Sequence, residues 1–69
     1  MAGEQAERIE RAFQGLPPDY REVILLSRIV GLSRAEAARE MGRSESAVRN
    51  LLHRALAQLA QAVEDESDS

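Results

Sequence analysis

Apolar residues recur along the chain at three- and four-residue spacing, the period of an amphipathic helix, and they do so in four stretches. Ile9, Ala12 and Phe13 make one face of a first stretch over residues 4–14. Glu7 and Arg11 form an i,i+4 pair in the favourable order there, and Gly15 is placed as its C-cap. The second stretch begins at Pro17-Pro18. Pro17 is held extended by the proline that follows it. Pro18 suits the first helical turn, where its missing N–H costs nothing. Asp19 and Glu22 suit the positive end of the same helix. Val23-Ile24-Leu25-Leu26 alone could be a strand, but Ile29 and Val30 extend the pattern to about thirteen residues, which favours helix. Its apolar positions cover more than one stripe. The helix is therefore central to a bundle or leaves an apolar surface for a partner.

The third stretch has the clearest start. Ser33-Arg34-Ala35-Glu36 is a capping box, with Ser33 as N-cap. Ala37, Ala38 and Met41 face inward, and Gly42 ends the helix in a left-handed conformation. Ser44 is the N-cap of the fourth stretch. There Val48, Leu51, Leu52, Ala55, Leu56, Leu59 and Val63 form one apolar stripe. This helix is expected to end near Val63, because Glu64, Asp65 and Glu66 sit badly at its negative end. The pattern predicts an all-α domain of four helices without a winged element: an N-terminal helix over 1–15, a core over 16–63 and a disordered acidic tail over 64–69. Its last two helices, short then longer around a glycine turn, have the helix-turn-helix arrangement.

Composition agrees with helix and removes several functions. Eleven alanines favour helix. With 43% apolar and 30% charged residues, the chain is not of the disordered class. At 69 residues it is one small domain, burying only about 60% of its unfolded surface. It has no cysteine and one histidine, so neither a disulfide framework nor a Cys- or His-rich metal site is expected. No catalytic residue and no cofactor are expected, since no serine has evident triad partners. Two aromatics exclude a stacking platform for single-stranded nucleic acid. No apolar run is long enough to span a membrane. The opening, Met1-Ala2-Gly3-Glu4-Gln5-Ala6-Glu7, is neither a signal nor a transit peptide.

The net charge of −3 is unevenly spread. All nine basic residues are arginine, and the last six residues carry four acids and no base. Residues 1–63 then hold nine arginines against eight acids, and residues 43–63 hold three against one. Between the apolar positions of the fourth helix stand Ser44, Glu45, Ser46, Arg49, Asn50, His53 and Arg54. These are the residue types that read DNA. Arg suits guanine, Asn suits adenine, and Glu accepts from cytosine N4. Serines at a helix start, with the free N–H groups of the first turn, suit a phosphate.

Three segments in order carry a resemblance. Leu16-Pro17-Pro18-Asp19-Tyr20-Arg21-Glu22-Val23-Ile24-Leu25-Leu26 resembles the opening of region 4, the C-terminal region of bacterial sigma factors. Gly31-Leu32-Ser33-Arg34-Ala35-Glu36-Ala37-Ala38 and onward to Gly42 resembles its bracing helix. Arg43-Ser44-Glu45-Ser46-Ala47-Val48-Arg49-Asn50-Leu51-Leu52-His53-Arg54-Ala55-Leu56 resembles its recognition helix. The register has no gap from Leu16 to Leu59 and is most similar to the extracytoplasmic-function branch of the sigma-70 family. The resemblance implies a cytoplasmic, nucleoid-associated bacterial protein, monomeric, that reads the promoter minus-35 element within RNA polymerase holoenzyme. By residue match, Arg49, Asn50, His53 and Arg54 fall on base- and phosphate-contacting positions, with Glu45 and Ser46 nearest the groove. It further implies docking on the β flap of the polymerase core through apolar surface such as Leu25 and Ile29. Anti-sigma proteins often occlude such surfaces in this branch. Region 2, which would melt the minus-10 element, is absent, so a domain of a longer factor is expected.

Some positions depart from the family pattern. Leu51 and Leu56 stand where a basic residue is frequent, which is expected to weaken phosphate contact. Ala37 replaces a larger aliphatic, predicting a thinner core, and Arg43 replaces an apolar turn residue. Two other readings remain open. One is a helical protein-interaction module, binding the β flap or an anti-sigma factor with weak DNA contact. The other is a response-regulator-type DNA output domain, which the Leu16-Pro17-Pro18 opening disfavours.

Overall fold

The computed structural model describes residues 2–67, and over them the chain is helical without a strand. The helices are α1 (Ala2–Gln14), α2 (Pro18–Ile24), α3 (Arg34–Met41) and α4 (Glu45–Ser67); α2 runs on as a π-helical segment, Leu25–Val30. The core lies where α2, α3 and the first half of α4 meet. Leu16, Val23, Ile24, Ala37, Ala38, Val48, Leu51 and Ala55 are buried there in one cluster. Three of these eight are alanines, so α3 meets α4 through short side chains, which permits a close approach of the two axes. Phe13, Tyr20 and Leu26 close the cluster as half-buried walls.

The π segment changes which residues the second stretch buries. In an α-helix Val30, seven residues beyond Val23, would return to the same face. Val23 is fully buried, but Val30 is 64% exposed, Ile29 73% and Leu25 43%. Bonding five rather than four residues back widens the turn and swings Val30 outward; Leu25 and Ile29 lie off the Val23 face in either winding. Gly31 ends the segment at φ 85°. The N–H groups of Gly31 and Leu32 both donate to Leu26 O. A single amphipathic helix through residue 30 is thus only half of what forms.

The capping box at Ser33 is realised. The Glu36 N–H donates to Ser33 Oγ at 3.1 Å, and the Ser33 N–H donates to Glu36 Oε1 at 2.8 Å. The Ser33 backbone N–H, then its hydroxyl, hold the Glu36 carboxyl below its ordinary value of 4.5. Gly42 closes α3 at φ 65°. Its N–H donates to Arg39 O and the Arg43 N–H to Ala38 O at 3.0 Å, the bond pattern of a Schellman cap. Arg43, in the turn, pairs with Asp19 of α2 at 3.5 Å. Ser44 Oγ then accepts from the Ala47 N–H at 3.1 Å and starts α4.

Expectations are corrected at the far end of α4 and along α1, which faces it. Sequence alone ends α4 near Val63, whereas the helix continues to Ser67. The unfavourable placing of acids at a helix C-terminus is offset by Gln61 donating to Asp65 at 3.3 Å and by Arg11 Nε bonding Glu66 Oε1 at 2.9 Å. Arg11 therefore bonds α4 rather than Glu7. Gly15 ends α1 without a left-handed turn, its N–H still reaching Arg11 O. Ile9, expected on a buried face, is half exposed. Asp68 and Ser69, the end of the expected tail, lie outside the described residues.

Candidate nucleic-acid interface

The geometry of the site follows from the pitch of α4 and from what its other side buries. Val48, Leu51 and Ala55 fix the inner face. On a helix of 3.6 residues per turn, Ser46, Asn50 and His53 then fall within about 60° of one another on the opposite side. Arg49 and Arg54, about 140° apart, flank that arc, one on each edge. Ser44, Glu45, Ser46, Arg49, Asn50, His53 and Arg54 are all exposed. Five of the seven residues that the sequence places at the interface thus share this arc or its edges, while Ser44 and Glu45 stand at the helix start. The half-turn of polar side chains projects from a helix whose first half is anchored in the core.

Leu51 does not weaken this surface in the way expected. It is only 8% exposed and belongs to the core, so its position does not face a ligand. Leu56 is half-buried against the same cluster. Ala37, also expected to thin the core, is fully buried.

Two neighbouring features escape the sequence. The first is a cleft of about 360 Å³ beside the Arg49–His53 edge, where Arg28 of the π segment and Arg34 of α3 face α4. Arg34 sits inside the capping box and reads there as part of a cap. Arg28 depends on the π winding, for which the hydrophobic pattern gives no sign. The second feature is an apolar groove of about 450 Å³ between α1, the π segment and α4, lined by Ile9, Phe13, Ile24, Leu25, Ile29 and Leu59. The two residues assigned to partner binding, Leu25 and Ile29, are on its wall. Glu66, from the acidic end, pairs with Arg11 on α1.

Among the described residues no group of three His, Asp or Glu side chains could hold a metal ion. No helix there is long and apolar enough to cross a membrane.

Comparison with known proteins agrees with this architecture. Residues 6–59 match the family described as Sigma-70, region 4. The chain is 39% identical over 56 residues to the ECF RNA polymerase sigma factor BldN of Streptomyces coelicolor, a match covering 81% of this chain and 21% of that protein. The chain thus spans about a fifth of its curated relative. No solved structure matches it. With most of its length aligned to region 4, and the helix-turn-helix that region requires in place, the chain belongs to the sigma-70 family as a region 4 domain of the extracytoplasmic-function branch.

Proposed function

We propose that this domain acts in transcription initiation by reading the minus-35 element of promoter DNA from within an RNA polymerase holoenzyme. The observation that carries this is the exposed arc of α4. An α-helix with its side chains is about 10–12 Å across and fills a major groove about 12 Å wide. Insertion of the N-terminal half of α4 would aim Ser46, Asn50 and His53 at the groove floor. Asn50 suits adenine in bidentate fashion. Glu45, one turn earlier, suits the cytosine amino group. Ser44 keeps its hydroxyl proton for a phosphate while its oxygen caps the helix. Arg49 and Arg54, on the edges of the arc, are placed for the groove walls more than for its floor.

The test is an amide NMR titration with a duplex selected from a random library, beside a scrambled duplex. Shifts centred on Ser44 to Arg54 are expected. Asn50→Ala should cut the preference for the selected duplex by about 1–3 kcal/mol. Equal affinity of the native chain for both duplexes would end the reading.

The apolar groove supports a second reading. Ile29 and Leu25 present exposed apolar surface beside Ile9 and Phe13, and such patches mark protein interfaces. Docking of the polymerase core, through its β flap, or of an anti-sigma factor, fits this face. Shifts along Val23 to Val30 with a β-flap peptide, and silence with DNA, would favour an interaction module.

A further inference from the structure

We propose that Arg28 and Arg34, together with Arg49, clamp a backbone phosphate of the bound duplex at a subsite outside the groove-reading arc. The inference rests on the reading of α4 as a major-groove helix. Its support is the cleft beside α4. Arg28 comes from the π segment, Arg34 from the first turn of α3 and Arg49 from α4, and the three converge on one space with Ser27 and His53 on its wall and Leu52 beside them. No carboxylate lines it.

That arrangement runs against the composition. The chain has twelve acids and nine arginines. The ion pairs among the described residues engage Arg11 and Arg43, with Glu66 and Asp19. The guanidiniums of Arg28, Arg34 and Arg49 have no hydrogen-bond or ion-pair partner there. Three like charges around one cleft repel one another, and an anion between them reverses the sign of the interaction. The acids nearest in sequence, Glu36 two residues after Arg34 and Glu45 one turn before Arg49, do not line the cleft.

The DNA supplies the anion in the right place. When a helix fills the major groove, the phosphates of the two strands form walls along its flanks. Arg49 marks one flank. Arg28 and Arg34 stand beyond it, off the helix, where a strand would pass. Guanidinium forks match phosphate oxygens bidentately. The Ser27 hydroxyl adds a donor of the kind that positions a backbone without reading sequence. The π segment has a consequence here as well: it places Arg28 on the cleft while Leu25 and Ile29 point to the apolar groove.

The experiment measures the affinity of the native chain, Arg28→Gln, Arg34→Gln and Arg28→Lys for the selected and the scrambled duplex, between about 50 and 200 mM salt. Melting temperatures serve as the fold control. Each Gln variant should weaken binding to both duplexes by the same factor and lower the slope of log K against log salt by about 0.9. Arg28→Lys should keep the slope, because the charge remains. If both Gln variants leave affinity and slope unchanged while Asn50→Ala still loses selectivity, the clamp is wrong and the promoter reading stands. If the native chain binds both duplexes equally but with an Arg28-dependent slope, the clamp stands and the promoter reading falls. Binding to neither duplex overturns both.

Discussion

α4 is one continuous helix with two kinds of support. Over residues 45–56 it buries Val48, Leu51 and Ala55 in the core shared with α2 and α3. Over residues 57–66 none of its side chains is fully buried; Leu59, Ala62 and Val63 are half-buried, and the facing element is α1. The first half is bounded by a side-chain cap and a glycine-closed bracing helix. The second is tied by apolar contact and an exposed ion pair, Arg11–Glu66. The proposed DNA-reading residues all lie on the first half. Precision in a readout helix has to come from elements whose position a packed core fixes, and local stability follows buried contact. The site is therefore expected to keep its shape even when the α1 end loosens.

The largest effect that bears on this contrast is Leu51→Ala. Deleting a buried leucine side chain costs about 2–5 kcal/mol. A chain of this size has only about 3–10 kcal/mol of stability in all. Thermal and urea unfolding followed by circular dichroism should show a large fall in the midpoint. Leu52→Ala, at a half-buried position, should cost less. If Leu51→Ala melts like the native chain, the first half of α4 is not anchored as described.

Where the sequence succeeds and fails follows the same division. Residues that carry explicit end signals are placed correctly: Ser33 with Glu36, Gly42, and Ser44 each perform the local role that their chemistry dictates. The polar positions of α4 are legible because the 3.6-residue period fixes them once Val48, Leu51 and Ala55 are inward. The period fails over Leu25–Val30. Isoleucine and valine look the same to it whether the backbone bonds four or five residues back, so the outward turn of Val30 is invisible, and with it the place of Arg28. It also fails beyond Val63. The rule against carboxylates at a helix end is local, while the Arg11–Glu66 bond joins residues 55 apart in sequence. Leu51 is misjudged for another reason. A family pattern says which residue type is frequent at a position, but the burial of this chain decides what its own residue does.

A smaller effect probes the brace of the first half. Ser33→Ala removes the hydroxyl that accepts from the Glu36 N–H and should cost about 1 kcal/mol. It also removes one of the two bonds that favour the Glu36 carboxylate. A carboxyl whose pKa is lowered by folding stabilises the native state above its unfolded value, and that contribution is lost as pH falls through the folded value. The native chain should therefore lose stability as pH drops below about 4.5, and Ser33→Ala should show a shallower loss over the same window. Parallel melting-temperature profiles of the two proteins from neutral pH to below this window would show that the Ser33 hydroxyl carries none of the pH dependence.

The smallest effect tests the second half directly. Glu66→Gln removes the charge that Arg11 bonds, at a site where both side chains reach solvent. Exposed pairs contribute little and are screened by salt. The melting temperature should barely move, and any difference should vanish at high salt. Hydrogen exchange should be more telling. Amides over residues 57–66 should exchange faster in the variant, because the bond that fixes the helix end against α1 loses its charge and weakens, whereas amides over residues 45–56 should keep their protection and the affinity for DNA its native value. Equal acceleration along the whole of α4 would mean that the helix opens as one cooperative unit, and that the site depends on α1 after all.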